Sequence, residues 1–365
     1  MEPFVLEAKR EPLQDAGEVR PGEMEPQQSA EGVASGERDL SQGAGGVGLG
    51  ERDLLQGAGG VASGEQELSR LAGSGRLEMA KLGLEPQPNS QRKRQQKLEP
   101  QPQLLRLRWD GVTAGFTTRH GGVSRPPFAS LNCGLHVGDD PADVVGNRER
   151  LAQALGQPLA ACTYAEQVHG CEVLVATPEH RGRGRASREG AVQGTDAFVT
   201  AERGLVLCAQ FADCVPLFLH DPVRRVVGLA HAGWKGSVLN IAQATVSAMA
   251  RAFGSRPEEL RAAVGPSIGV CCYEVDAAVA DRVRAALTAA GAAPQAEANV
   301  LRAQPVGKFM LNLQEFNRNL LEQAGILSAC IEVTQLCTSC RTDLFFSHRK
   351  EGGSTGRMVA WIALV

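Results

Sequence analysis

No apolar run in this chain approaches the roughly 20 residues that a helix needs to cross a bilayer. The opening residues Met-Glu-Pro-Phe-Val-Leu-Glu-Ala-Lys-Arg hold no apolar leader core, so no secretory signal is expected. Net charge is only -3 over 365 residues, which gives no long-range pull towards nucleic acid or a membrane surface. There are seven histidines and no His-x-His pair, which excludes the clustered imidazoles of a blue-copper multidomain oxidase. Ten cysteines are present, but their irregular spacing is no disulfide framework. These absences set the expectation of a reduced, cytoplasmic protein with neither nucleic acid nor membrane as partner. What is present is 43% hydrophobic residues, enough for a core over part of the chain, and length for one large domain or two ordinary ones.

The apolar residues are unevenly spread. Residues 1–104 are rich in Gly, Glu, Gln and Pro and repeat at 14-residue steps: Gly36-Glu-Arg-Asp-Leu40 returns at Gly50–Leu54, and Glu85-Pro-Gln-Pro88 at Glu99–Pro102. That step is shorter than the common solenoid units, and no unit carries a face worth stacking. The segment reads as a disordered low-complexity tail that cannot offset its ordering entropy. Within it Arg92-Lys-Arg-Gln-Gln-Lys97 reads as a solvated basic linker, with a nuclear-import patch as the alternative.

The body, residues 105–365, is organised around Leu205–Gly236. Three short apolar runs, Leu205–Phe211, Val215–Leu219 and Val226–Ala230, predict buried strands. Their ends are polar: Asp213 and Cys214 between the first two, His231 after the third. Gly233 and Gly236 follow, then a helical pattern over 238–253, a Gly-rich helix opening that suits an anion. Elsewhere strands are expected over 112–118, 172–176, 262–264, 330–334 and 358–365. Asp140 before Pro141 predicts a capped helix to about Leu155, closed by Gly156. A second helix is expected over 276–290, and a third after Asn312, whose Glu315 completes a capping-box-like start. Residues 180–190 read as a flexible, solvated basic loop, and Phe345-Phe346 as part of a strand.

His169, Cys214 and His231 each close a strand-like segment. Two imidazoles and a thiolate are three ligands of a tetrahedral zinc site whose open fourth position acidifies a bound water. Their spacing alone favours two polar strand-end histidines and a buried free thiol, because no short motif binds them together. Cys337-x-x-Cys340 is a single pair; a structural zinc would need Cys271-Cys272 as its second, and the spacing favours packing. Asp196, Arg119, Asn132 and Arg349 stand at segment ends, where turn and cap roles are the commoner ones.

The ordered motifs Gly115-Phe-Thr-Thr-Arg-His-Gly-Gly-Val-Ser124, Ser130-Leu-Asn132, Val137-Gly-Asp-Asp-Pro141, Glu166-Gln-Val-His-Gly170, Ala212-Asp-Cys-Val-Pro216 and His231-Ala-Gly-Trp-Lys-Gly236 are followed by Gly265–Glu274, Cys337–Cys340 and Phe345–Arg349. As a set, from about Leu105 to Val365, they resemble the laccase-domain family of YfiH-type purine nucleoside phosphorylases, formerly named multicopper polyphenol oxidases. The resemblance implies one α/β domain of mixed sheets packed with helices. It implies zinc on His169, Cys214 and His231, with copper as the other thiolate-compatible metal. It also implies purine nucleosides and phosphate as substrates: phosphorolysis of adenosine, inosine and methylthioadenosine, and deamination of adenosine. On that resemblance Arg119, Asp196 and Cys214 are expected to be catalytic. Arg119, Asn132, Lys235 and Arg349 are expected to bind substrate, Arg119 first for phosphate. Two alternatives stay open, an amide hydrolase with Cys214 as nucleophile and a laccase-like polyphenol oxidase. Phe211 and Lys235 depart from the family pattern; the first is expected to narrow the pocket, the second to keep charge while losing bidentate phosphate geometry.

Overall fold

The computed structural model describes residues 2–7 and 101–365. In chain order these form β1 (Phe4–Leu6), β2 (Leu104–Leu107), β3 (Val112–Thr117), α1 (Pro141–Ala154), β4 (Cys162–Tyr164), β5 (Val173–Val175), β6 (Ala197–Thr200), β7 (Val206–Phe211), β8 (Val215–Asp221) and β9 (Val226–Ala232). The second half adds α2 (Trp234–Val238), α3 (Ile241–Phe253), β10 (Arg261–Val264), β11 (Glu274–Asp276), α4 (Ala277–Ala289), α5 (Pro294–Val300), β12 (Leu301–Gln304), β13 (Lys308–Leu311), α6 (Leu313–Gln323), β14 (Ile331–Val333) and β15 (Met358–Leu364). The low-complexity repeats and the Arg92–Lys97 cluster lie outside the described residues.

Two six-stranded mixed sheets stack face to face, one ordered β1-β2-β3-β15-β7-β4, the other β14-β10-β8-β9-β6-β5. Phe116, Phe198, Phe211, Phe218, Leu229 and Ile362 fill the space between them. The first sheet's outer face is covered by α1, through Leu151, Ala152 and Trp361. On the second sheet's outer face, Met249 of α3 and Phe316 and Leu320 of α6 complete the core. The order is therefore helix, sheet, sheet, helices, a mixed α/β domain. Because β7, β8 and β9 are covered on both faces, they read as unbroken apolar runs rather than alternating ones, and all their residues are buried. A small sheet, β11-β13-β12, sits apart from both.

Local signals acted as the sequence suggested at several ends. Asp140 caps α1 with a 2.8 Å hydrogen bond from the Ala142 amide, and Asn312 caps α6 by accepting from Glu315 at 3.1 Å. Four readings need correction. Residues 2–7 stand in the body, not in the tail: Phe4–Leu6 pairs antiparallel with Leu105–Leu107, and the Phe4 ring packs 5.5 Å from that of Phe218. An apolar triplet nearly a hundred residues from its partner leaves no local trace. The helix expected over 238–253 begins only at Ile241: Val238 ends the separate α2, and Asn240 turns left-handed (φ 59°) and caps α3 by accepting from the Gln243 amide. Phe345 and Phe346 are fully buried in a turn rather than a strand. The 180–190 segment is held down rather than loose, because the buried Arg148 guanidinium donates to the carbonyls of Gly184 and Arg185 at 2.5 and 3.2 Å.

Candidate active site

Strand register brings the three candidate ligands together. β8 and β9 are antiparallel with Val215 opposite Ala232 and Pro216 opposite His231. Cys214, one residue before β8, therefore lands beside the end of β9. On the other flank β6 pairs with β9, Ala197 opposite Ala230, so Asp196 lies next to His231. β5 runs parallel to β6, which carries the preceding Val168-His169-Gly170 turn to the same edge. The ligand atoms of His169, Cys214 and His231 all lie within 4.8 Å of one another, with His169 Nε2 3.8 Å from Cys214 Sγ.

Asp196 organises this group. Its Oδ1 accepts from His231 Nδ1 at 2.8 Å and from the His169 amide at 3.0 Å. Its Oδ2 accepts from the Gly170 amide at 2.7 Å and the Val168 amide at 3.2 Å. One carboxylate thus fixes the His231 tautomer, aims its Nε2 at the cluster and holds the turn in which His169 is left-handed (φ 60°). Asp196 does not line the cavity, so it positions both histidines rather than meeting substrate. Phe211 packs behind His231, ring to ring at 5.3 Å, and does not narrow the cavity. Gly233 is required by clearance: a Cβ there would lie 2.9 Å from both Cys214 Sγ and His169 Cδ2.

Charge separates within the cluster. Burial resists a thiolate at Cys214, but the adjacent His231 and the hydrogen bonds from both imidazoles prevail and lower the thiol to about 6. Burial likewise opposes charge on His231, and the Cys214 sulfur and Asp196 carboxylate outweigh it, raising the imidazole to about 9. A thiolate beside two aimed imidazoles, with an open side, fits a tetrahedral cation of borderline or soft character.

The open side faces a cavity of about 580 Å³, within the range of small-molecule sites. His169, Cys214 and His231 form part of its lining, with Lys235, Arg188, Arg349 and Arg357 supplying positive charge and Tyr273 and Ile268 a flatter wall. Lys235 stands in the first turn of α2, its ammonium 5.8 Å from the Trp234 ring. Arg349 lies over the Tyr273 ring at 4.9 Å and donates to the Glu274 carbonyl at 2.8 Å. Burial pushes the Tyr273 phenol up, which keeps it a protonated donor. Arg188 reaches the rim paired with Glu166 at 2.5 Å.

Two expected substrate residues are not at the cavity. The Arg119 guanidinium is spent on the Ala129 and Thr342 carbonyls and on Glu351 at 3.0 Å, and it stacks on Phe346 at 4.6 Å. Asn132 is fully buried; its Oδ1 accepts from the Gly134 and Arg357 amides and its Nδ2 donates to Asp139. It therefore seats Arg357, which does line the cavity. Sequence reasoning missed His136, Arg188, His348 and Arg357 as lining residues. Arg188 and Arg357 sit in basic or glycine-rich stretches with no periodic pattern, while His348 stood inside a motif and His136 between two, neither with an assigned role.

Residues 113–365 match the family described as "Multi-copper polyphenol oxidoreductase laccase". Over 252 residues the chain is 45% identical to purine nucleoside phosphorylase YlmD of Geobacillus stearothermophilus, covering 69% of this chain and 90% of that protein. It is 36% identical over 252 residues to a protein named adenosine deaminase RL5 from an unknown prokaryotic organism, covering 68% of this chain and 92% of the other. The crystal structure of the hypothetical protein YfiH from Bacillus licheniformis is similar, with TM-score 0.68 and 44% identity over 72% of this chain and 96% of that one.

Proposed function

This chain belongs to the multi-copper polyphenol oxidoreductase laccase family, and on that footing we propose that it is a zinc-dependent purine nucleoside phosphorylase that also deaminates adenosine. The observation that carries the proposal is the His169–Cys214–His231 group opening into a cavity ringed by Lys235, Arg188, Arg349 and Arg357. A nucleoside with phosphate needs that combination, a polarising centre next to cationic anchors. His169, Cys214 and His231 would hold the zinc, which would supply Lewis acidity on the side facing the cavity. It is preferred to copper because neither reaction transfers electrons.

The chain's own residues do the rest. Lys235 and Arg349 hold phosphate, taking the part expected of Arg119. In phosphorolysis of adenosine, inosine or S-methyl-5'-thioadenosine a phosphate oxygen bonds to ribose C1′ as the C1′–N9 bond breaks, and the purine leaves with a proton. Holding phosphate and sugar in contact removes most of the entropic barrier to that encounter. The Tyr273 phenol, kept protonated by burial, donates a hydrogen bond at the wall. In deamination water adds at purine C6 and ammonia departs. Asp196 holds the Nδ1 side of His231 and keeps its Nε2 aimed at the cluster throughout.

A second reading has an observation of its own. The lowered Cys214 thiol beside His169 Nε2 is also the arrangement of a nucleophilic cysteine, which would make the protein an amide hydrolase. Cys214→Ser separates them: loss of bound metal supports ligation, whereas retained metal with a trapped acyl-enzyme supports attack. The proposal itself is tested by incubating metal-loaded protein with adenosine and phosphate. Adenine and ribose 1-phosphate in equal amounts are expected; absence of any purine product overturns it. The protein acts as a cytoplasmic enzyme on this reading; a chain starting near Gln103 keeps every cavity residue but loses β1, whose Phe4 packs on Phe218.

A further inference from the structure

Four cysteines meet outside the active site. Cys271 and Cys272 lie in the turn between β10 and β11, Cys337 and Cys340 in the loop after β14. Their sulfurs all lie within 4.8 Å of one another. Cys340 Sγ is 3.3 Å from Cys271 Sγ and 3.4 Å from Cys272 Sγ. These separations are far beyond a disulfide bond of about 2.05 Å. They approach the edge of a four-sulfur tetrahedron, about 3.8 Å for zinc–sulfur bonds of about 2.3 Å.

We propose that Cys271, Cys272, Cys337 and Cys340 form a second metal site, a closed four-thiolate zinc site that clasps two loops of the cavity wall. The loops are already in register without it. Ser267 and Cys337 form a parallel bridge, and the Thr338 amide donates to the Ser267 carbonyl at 2.9 Å. Both loops are also tied to Asp213, whose carbonyl accepts from the Ile268 amide at 3.0 Å and whose carboxylate accepts from Thr338 Oγ1 and the Arg349 amide, each at 2.7 Å. The sulfurs are therefore brought together by backbone contacts, as a preformed site requires. The Gly269 amide points at Cys337 Sγ from 3.2 Å, a hydrogen bond that favours a thiolate. Gly269 lies close against the cluster: a Cβ there would stand 3.2 Å from Cys337 Cβ and 3.4 Å from Cys271 Sγ. Cys271 and Cys340 are exposed, which gives an ion a way in, while Cys337 is buried.

Binding is an exchange of protons for metal. Four thiols release four protons, and four thiolates with Zn²⁺ carry a net charge of about -2. No position remains for water, so this site holds structure and performs no reaction. Its effect on the cavity is mechanical, because Tyr273 follows Cys272 directly and Arg349 lies beyond Cys340 on the other loop. Cys340 is equally near two sulfurs, so no single disulfide is singled out by the geometry.

Metal content of the reduced, full-length protein tests this without reference to activity. About two zinc equivalents per chain are expected in the wild type, about one in Cys340→Ser, about one in His231→Ala and almost none in the double variant. Cobalt substituted into His231→Ala should show strong sulfur-to-cobalt charge-transfer bands that Cys340→Ser lacks at that site. Cys340 is exposed, so its variant is expected to fold even if Cys337→Ser does not. A single zinc that His231→Ala removes overturns the proposal. So does a Cys340 disulfide found in protein purified anaerobically with its thiols blocked.

Discussion

Among the described residues there are two groups of metal-binding type, and they differ in what surrounds them. Cys214 and His231 sit at strand ends and His169 in the turn before β5; the buried Asp196 carboxylate holds both histidines, and all three face a cavity. The four cysteines sit on loops, have the Gly269 amide donating to one of their sulfurs, and turn all four sulfurs towards one another. Three ligands with an open position suit chemistry; four with none suit a staple. The contrast also concerns rigidity. Sheet register fixes the first group, because Pro216, His231 and Ala197 are locked into adjacent ladders. The second depends on loops that a metal would have to hold.

The sharpest way to break this contrast is His231→Ala. It should remove the cavity metal and reduce phosphorolysis and deamination to background together, with circular dichroism unchanged because the sheet does not need that ring. Persistence of either activity would separate it from the metal. Next is Asp196→Asn, which keeps the shape and removes the charge that holds His231 Nδ1 and the His169 turn. Metal affinity, measured against a competing chelator, should fall about 10–100-fold. Unchanged affinity would mean that the carboxylate only shapes the turn.

Lys235→Met addresses the rim. Loss of one charged hydrogen bond to phosphate, about 1.5–3 kcal/mol, should raise the KM for phosphate roughly 10–100-fold, with deamination of adenosine, which uses no phosphate, little altered. An equal loss in both reactions would place Lys235 on the nucleoside. The smallest kinetic effect is expected from Cys340→Ser: kcat/KM lowered a few-fold through Arg349 and Tyr273, with a lower melting temperature. Activity as low as that of His231→Ala would put both groups in one site.

The fold was legible in the sequence where burial is continuous and caps are chemical. The runs of β7, β8 and β9, the Asp140 and Asn312 caps and the Cys214–His231 neighbourhood could all be read from residue type. Reading the triad as a unit required the motif resemblance, because the register that unites it is long-range. What stayed hidden has the same cause. Strand β1 answers a partner far along the chain, and the small β11-β13-β12 sheet is half-exposed, so its strands lack a clear apolar period. Arg119 shows the opposite error. A basic residue in a glycine-rich turn resembles a phosphate anchor, yet its donors face the carbonyls of Ala129 and Thr342 and the carboxylate of Glu351. Charge and loop position alone do not say which way a guanidinium points.

Zinc titration of metal-stripped Cys340→Ser protein, with adenosine phosphorolysis followed at each addition, measures the central claim most directly, because that variant keeps only the open site. Activity should be absent at the start and rise linearly to a break at about one equivalent. Full phosphorolysis before any zinc is added, or none after saturation, would contradict a metal-dependent nucleoside phosphorylase built on His169, Cys214 and His231.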